Sequence, residues 1–135
     1  MAVFVLTDAA VTINAVNLSG LVRKATIKTM VDEKDSTAMG ATYHARLGGL
    51  KDWSLDVEFN QDFAAAQADA TLFPLLGVAS TCTAKSTSAA NSATNPQYSG
   101  SAILNDYAPI DGAVGDLATT KASFVGAGPL TRLVV

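Results

Sequence analysis

Asp52-Trp53-Ser54-Leu55-Asp56-Val57-Glu58-Phe59-Asn60 alternates without a break. Trp53, Leu55, Val57 and Phe59 fall on one side; Ser54, Asp56, Glu58 and Asn60 fall on the other. A period of two is the mark of a strand with one face in the core and one in water. The inner face is large and partly aromatic, and the outer face is acidic. This stretch fixes the fold class as β, and the flanking sequence is read against it.

Upstream, Val22 to Val31 repeats the pattern, with Ala25, Ile27, Thr29 and Val31 opposite Lys24, Thr26 and Lys28. Ala10 to Ile13 and Val16 to Leu18 suit a hairpin about Asn14-Ala15. Val3 to Thr7 reads as a first strand. Between the two long strands lies a polar stretch from Asp32 to Gly49 with little periodicity, expected as a long loop. Downstream, Asp62 is a good N-cap, and Phe63, Ala66, Ala70 and Phe73 share a helical stripe that should pack on the sheet. Pro74 and Gly77 end that helix. Val78 to Lys85, Tyr98 to Leu104 and Ala118 to Phe124 read as strands. Ser86 to Pro96 and Asn105 to Asp116 read as loops. Gly126-Ala127-Gly128-Pro129 is expected to break the last strand, leaving an apolar tail, Leu130 to Val135, to pair as an edge within its own sheet or with a neighbour.

Strands, one helix, then strands predict a mainly β chain: an antiparallel β-sandwich or open barrel, with one flanking α-helix at about 62–74 and a long loop at about 32–49. The 135 residues form one domain, 1–135, large enough to bury a core. The expected core is Trp53, Leu55, Val57 and Phe59 against Phe63, Phe73 and Ile27.

Charged residues are 16% of the chain against about 25% in an average soluble domain. A surface of Ala, Ser, Thr, Asn and Gly suits a subunit whose sides are covered by neighbours, although it also suits a bland monomer. The net charge of −3 and pI of about 4.8 leave no basic footprint for gripping nucleic acid. No stretch approaches the ~18 apolar residues of a membrane span, and Met1 to Asp8 lacks the basic start of a signal peptide. A soluble protein made in the cytoplasm is expected. Asn17-Leu18-Ser19 is a chance sequon in that setting.

Catalytic patterns are missing. Cys82 stands alone in a strand-like run, which favours a buried structural thiol. His44 is the only histidine and has no orienting partner in the sequence. Asp56 and Glu58 share a strand face, yet nothing marks either for a raised pKa. Asp32, Glu33 and Asp35 lack the spacing of a calcium loop. Gly126-Ala127-Gly128 precedes no helix and is no phosphate cradle. No metal, cofactor or enzymatic activity is expected.

Several segments together resemble the small tail tube (major tail) proteins of long-tailed bacteriophages. They are Asp35 to Gly40, Leu47 to Phe63, Asp69 to Gly77, Asn95 to Gly100 and Gly115 to Thr120. Each is weak alone; the combination spans nearly the whole chain. The resemblance implies a structural virion protein, assembled in the host cytoplasm into hexameric rings that stack into a tube for genome ejection. It implies self-association, and tape measure, tail terminator and tail-tip proteins as partners. DNA would pass without being held, and no membrane is involved. It also implies one sheet lining the lumen and a long loop reaching the next ring. Ser54, Asp56 and Glu58 are the candidate lumen-facing residues. Asp32, Glu33, Lys34, Asp35, Tyr43, His44 and Arg46 are the candidate inter-ring residues. A decoration or binding module on a virus particle is the alternative; a small-ligand barrel is disfavoured by the Ala-rich inner faces.

Overall fold

The computed structural model describes residues 3–135. The strands are β1 (Ala10–Ile13), β2 (Val16–Asn17), β3 (Val22–Asp35), β4 (Arg46–Asn60), β5 (Ala79–Lys85), β6 (Gln97–Asp111) and β7 (Thr119–Leu133). A short helix, α1 (Ala68–Leu72), runs into a 3-10 turn, Phe73–Leu75. All strands join one antiparallel sheet of seven, ordered β2-β1-β5-β6-β7-β4-β3. The sheet curls, so that Val11 and Ala84 near one edge share a cavity with Ala25 and Ile27 at the other. This is the sandwich-like open barrel that the alternation implies.

The core follows the period of two. Trp53, Leu55, Val57 and Phe59 of β4 are buried and meet Ala122 and Phe124 of β7, with Leu104, Cys82, Val11 and Ile13 completing the cluster. Ile27 is half-buried against it. Asn14 and Ala15 both take positive φ, the geometry of a type I′ turn whose twist matches its strands.

The structure differs from the sequence reading in five places. Val3 to Thr7 is not a strand; its apolar side chains find no ladder, and Val3 to Leu6 stay exposed. The helix is shorter than expected. Asp62 accepts from the Ala64 amide at 2.9 Å, closing a local turn instead of capping a helix. Ala66 then takes a φ of +60°, so α1 starts only at Ala68 and buries Ala68, Thr71 and Leu72. Phe63 and Phe73, expected in the core, therefore lie in solvent, 62% and 61% exposed. Third, the polar stretch 32–49 is paired at both its ends: β3 and β4 run to Asp35 and Arg46 as one long hairpin, leaving residues 36–45 as its tip. Both faces of that hairpin are wet, so it carries no apolar period to detect. Fourth, β6 continues to Asp111 through Pro109, which sits in a bulge where the ladder needs no amide from it. Fifth, Gly126 to Pro129 does not end β7. The tail pairs within its own sheet, Leu130 with Gly100 and Leu133 with Gln97.

Candidate assembly surfaces

Trp53 is where the barrel and the hairpin meet. A Cβ at Gly100 would stand 2.7 Å from Trp53 Cζ2, and one at Gly126 2.6 Å from its Cδ1. The indole therefore lies flat on backbone that only glycine allows, and its Nε1–H donates to the Gly128 carbonyl at 2.8 Å. Beyond this seat β4 and β7 part, since their pairing ends at Ser54 and Val125. The gap is a cavity of about 770 Å³ between Met30, Val31 and Trp53 on one wall and Gly126, Pro129 and Leu130 on the other.

Past the gap, residues 32–51 form an arm that is exposed throughout. Its tip is tied by hydrogen bonds. The Thr37 amide donates to Asp35 Oδ1 at 2.9 Å, the Ala45 amide to Thr37 Oγ1 at 2.8 Å, and the Ser36 amide to the Ala45 carbonyl at 2.8 Å. The Thr37 donors hold the Asp35 carboxyl below its ordinary pKa. Arg46 Nε lies 2.9 Å from Glu33 Oε1, and His44 Nδ1 3.7 Å from Asp35 Oδ2. Of the expected inter-ring residues, Glu33, Asp35, His44 and Arg46 are thus drawn together. Asp32 lies against Gly49, and Tyr43 stands free, 86% exposed.

The outer face of the sheet carries Ser54, Asp56 and Glu58. Each is flanked across the ladders: Ser54 by Lys28 and Val125, Asp56 by Thr26 and Ser123, Glu58 by Lys24 and Lys121. Arg23 also reaches Glu58, Nη1 to Oε1 at 3.5 Å. Glu58 therefore has basic residues on both sides, while Asp56 stands between hydroxyls. Toward β5 and β6 the same face is hydroxyl-rich, with Thr81, Thr83, Ser99 and Ser101.

At the far end of β4, Phe63, Pro109, Ile110 and Leu117 line a second, smaller hollow of about 230 Å³ rimmed by Asp111 and Asp116. Sequence reasoning missed this site because its residues come from separate loops, and Phe63 was assigned to the core. Among the described residues no three His, Cys, Asp or Glu side chains are grouped to hold a metal, and no helix is long and apolar enough to cross a membrane. Cys82 is buried, and desolvation pushes its thiol up to about 11.

No protein-family profile and no curated protein matches the sequence. Solved structures do match. A chain in the virion of a native gene transfer agent particle superposes with a TM-score of 0.72 at 14% identity, over 93% of this chain and 95% of that one. This chain has their fold. A chain in the tail of an empty gene transfer agent particle, refined with C6 helical symmetry, gives 0.67 at 15% identity over 82% and 81%. A chain in the six-fold symmetrised baseplate of an anti-feeding prophage gives 0.56 at 8% identity over 98% and 97%.

Proposed function

We propose that the 1–135 chain is one tail-tube-like β domain, a structural and non-enzymatic subunit of a phage-like virion tail. Subunits form hexameric rings, and the rings stack into the tube through which the genome leaves. The observation that carries this reading is the fold match along nearly the whole chain to a gene transfer agent virion and to a tail refined with C6 symmetry. Two features of the chain agree with it. An exposed arm projects from one end of the sheet, and a broad outer face offers hydroxyls and balanced charge rather than a basic grip. In this reading Ser54, Asp56 and Glu58 face the lumen. Phosphate slides past because no surplus of Lys or Arg releases counterions that must later be recaptured. Tape measure, tail terminator and tail-tip proteins meet the ends of the tube, and assembly takes place in the host cytoplasm.

The test is negative-stain imaging of the concentrated protein. Rings or tubes about 100 Å across are expected, from packing six domains of about 15 Å radius around an axis. A chain that stays monomeric at every concentration, with or without preformed tail tips, sinks the reading.

A further inference from the structure

The gap where β4 and β7 part has two strand edges and no strand between them. Among the described residues, 46–52 of β4 pair only with β3, and Leu130 to Leu133 of β7 pair only with β6. These edges flank the cavity of about 770 Å³. At its closed end side chains do what a strand would otherwise do. Asp52 Oδ1 accepts from the Trp53 amide at 2.8 Å, and the Trp53 indole donates to the Gly128 carbonyl. Farther out the walls are apolar, with Met30, Val31, Pro129 and Leu130. The same molecule exposes a strand-like segment with no sheet. Val3-Phe4-Val5-Leu6 is β-branched, aromatic and apolar, the composition of a buried strand, yet all four residues are exposed and unpaired. Extended, four residues span about 13 Å, the length of the open edge Leu130 to Leu133.

We propose that Val3 to Leu6 of one copy enters the gap of a second copy and completes its sheet between β4 and β7. Main-chain hydrogen bonds to the open edges give an added strand its affinity, and the apolar walls give its side chains their seats. The inference rests on the reading of this chain as a self-assembling tail subunit. A chain cannot fill its own gap in this way. Its Asp8 carboxylate accepts from the Ser88 amide at 3.2 Å and from the Ser88 hydroxyl. Thr7 to Ala9 then lie beside Val22 to Ala25, and Leu6 beside Ala25 and Ile27. The β3 wall of the gap is Thr29 to Val31. Val3, three residues or about 10 Å past Leu6, only reaches the mouth. A strand given by one copy to the next is a heterologous contact, which builds rings or filaments rather than closed pairs.

Cysteine pairing tests this directly. Val5→Cys and Val31→Cys chains are prepared separately, both substitutions being at exposed positions. Native Cys82 is buried and can stay in place. Mixed and oxidised, the chains should give the Val5→Cys/Val31→Cys heterodimer in several-fold excess over either homodimer. Adding Phe4→Asp to the Val5→Cys chain should abolish the excess, and an excess that survives it overturns the seat. A chain carrying both cysteines should give a ladder of linked oligomers; one that closes on itself as a monomer fills its own gap and overturns the proposal. Rings or tubes without the heterodimer excess overturn the contact and leave the tail-tube reading standing. Excess heterodimer without rings or tubes leaves the contact standing and overturns the tail-tube reading. Neither product overturns both.

Discussion

At the scale of single residues, Trp53 and its glycines carry the most specific chemistry. Truncating Trp53→Ala removes a buried indole and its bond to Gly128, and should cost about 3–5 kcal/mol in denaturant unfolding. Gly126→Ala should cost about 1–3 kcal/mol, because the new methyl enters the space of the indole. The two losses should not add: with the ring gone, the methyl has room, so the double variant should lie close to Trp53→Ala alone. Strictly additive losses would show that the two residues do not share that space. The alternation of β4 made the burial of Trp53 legible. Its partners were not: Gly126 was expected to break the last strand, Gly100 lay unremarked inside an expected one, and only register brings them under the ring. Cys82 gives a simpler check. With its thiol at about 11 and its side chain buried, native protein at pH 8 should not react with a thiol reagent, whereas unfolded protein should react at once.

At the scale of elements, the arm and the short helix show why some segments can be read from sequence and others cannot. A strand with one dry face writes its period into the sequence. The arm has none, so Asp32 to Gly49 looked like a loop throughout although both its ends are laddered. The helix failed for the opposite reason. Its stripe through Phe63 and Phe73 was legible, but Asp62 spent its carboxylate on a turn and Ala66 broke the path. Removing residues 34–46 should leave a folded barrel, because β4 does not join β7 until Ser54. That chain should melt near the parental temperature yet fail to elongate; normal polymers would remove the arm from the interface. The arm tip should also respond to acid. The Asp35 carboxyl has a folded pKa below its ordinary 3.8, so the tip's order is present above that value and is lost as pH falls through the lower folded one. The Thr37 and Ala45 amide resonances should shift in that window, and Asp35→Asn should abolish the Thr37 transition.

At the scale of the whole molecule, topology decides what the outer face can do. Read along the chain, Asp56 and Glu58 form an acidic row. Read across the sheet, Lys24, Lys28 and Lys121 lie beside it. Sequence shows the charge of a strand; only strand order shows the charge of a face. If this face lines a conduit, its near-neutrality is what keeps DNA from sticking. Asp56→Lys with Glu58→Lys would put like charges beside Lys24 and Lys121, costing about 0.2–1 kcal/mol per pair. The fold should survive, and DNA should be held in proportion to falling salt. DNA passage at the parental rate in low salt would place the face elsewhere.

The 15 residues of β4 serve both the barrel and the arm, with no hinge glycine or chain break at the seat of Trp53. Such a strand is a lever. A sideways push on the tip reaches the barrel as torque, since β4 turns about the point where β7 lets go. Where copies are coupled by their arms, each subunit then feels the tilt of the next, and a disturbance at one end of a stack travels as a wave of small rotations.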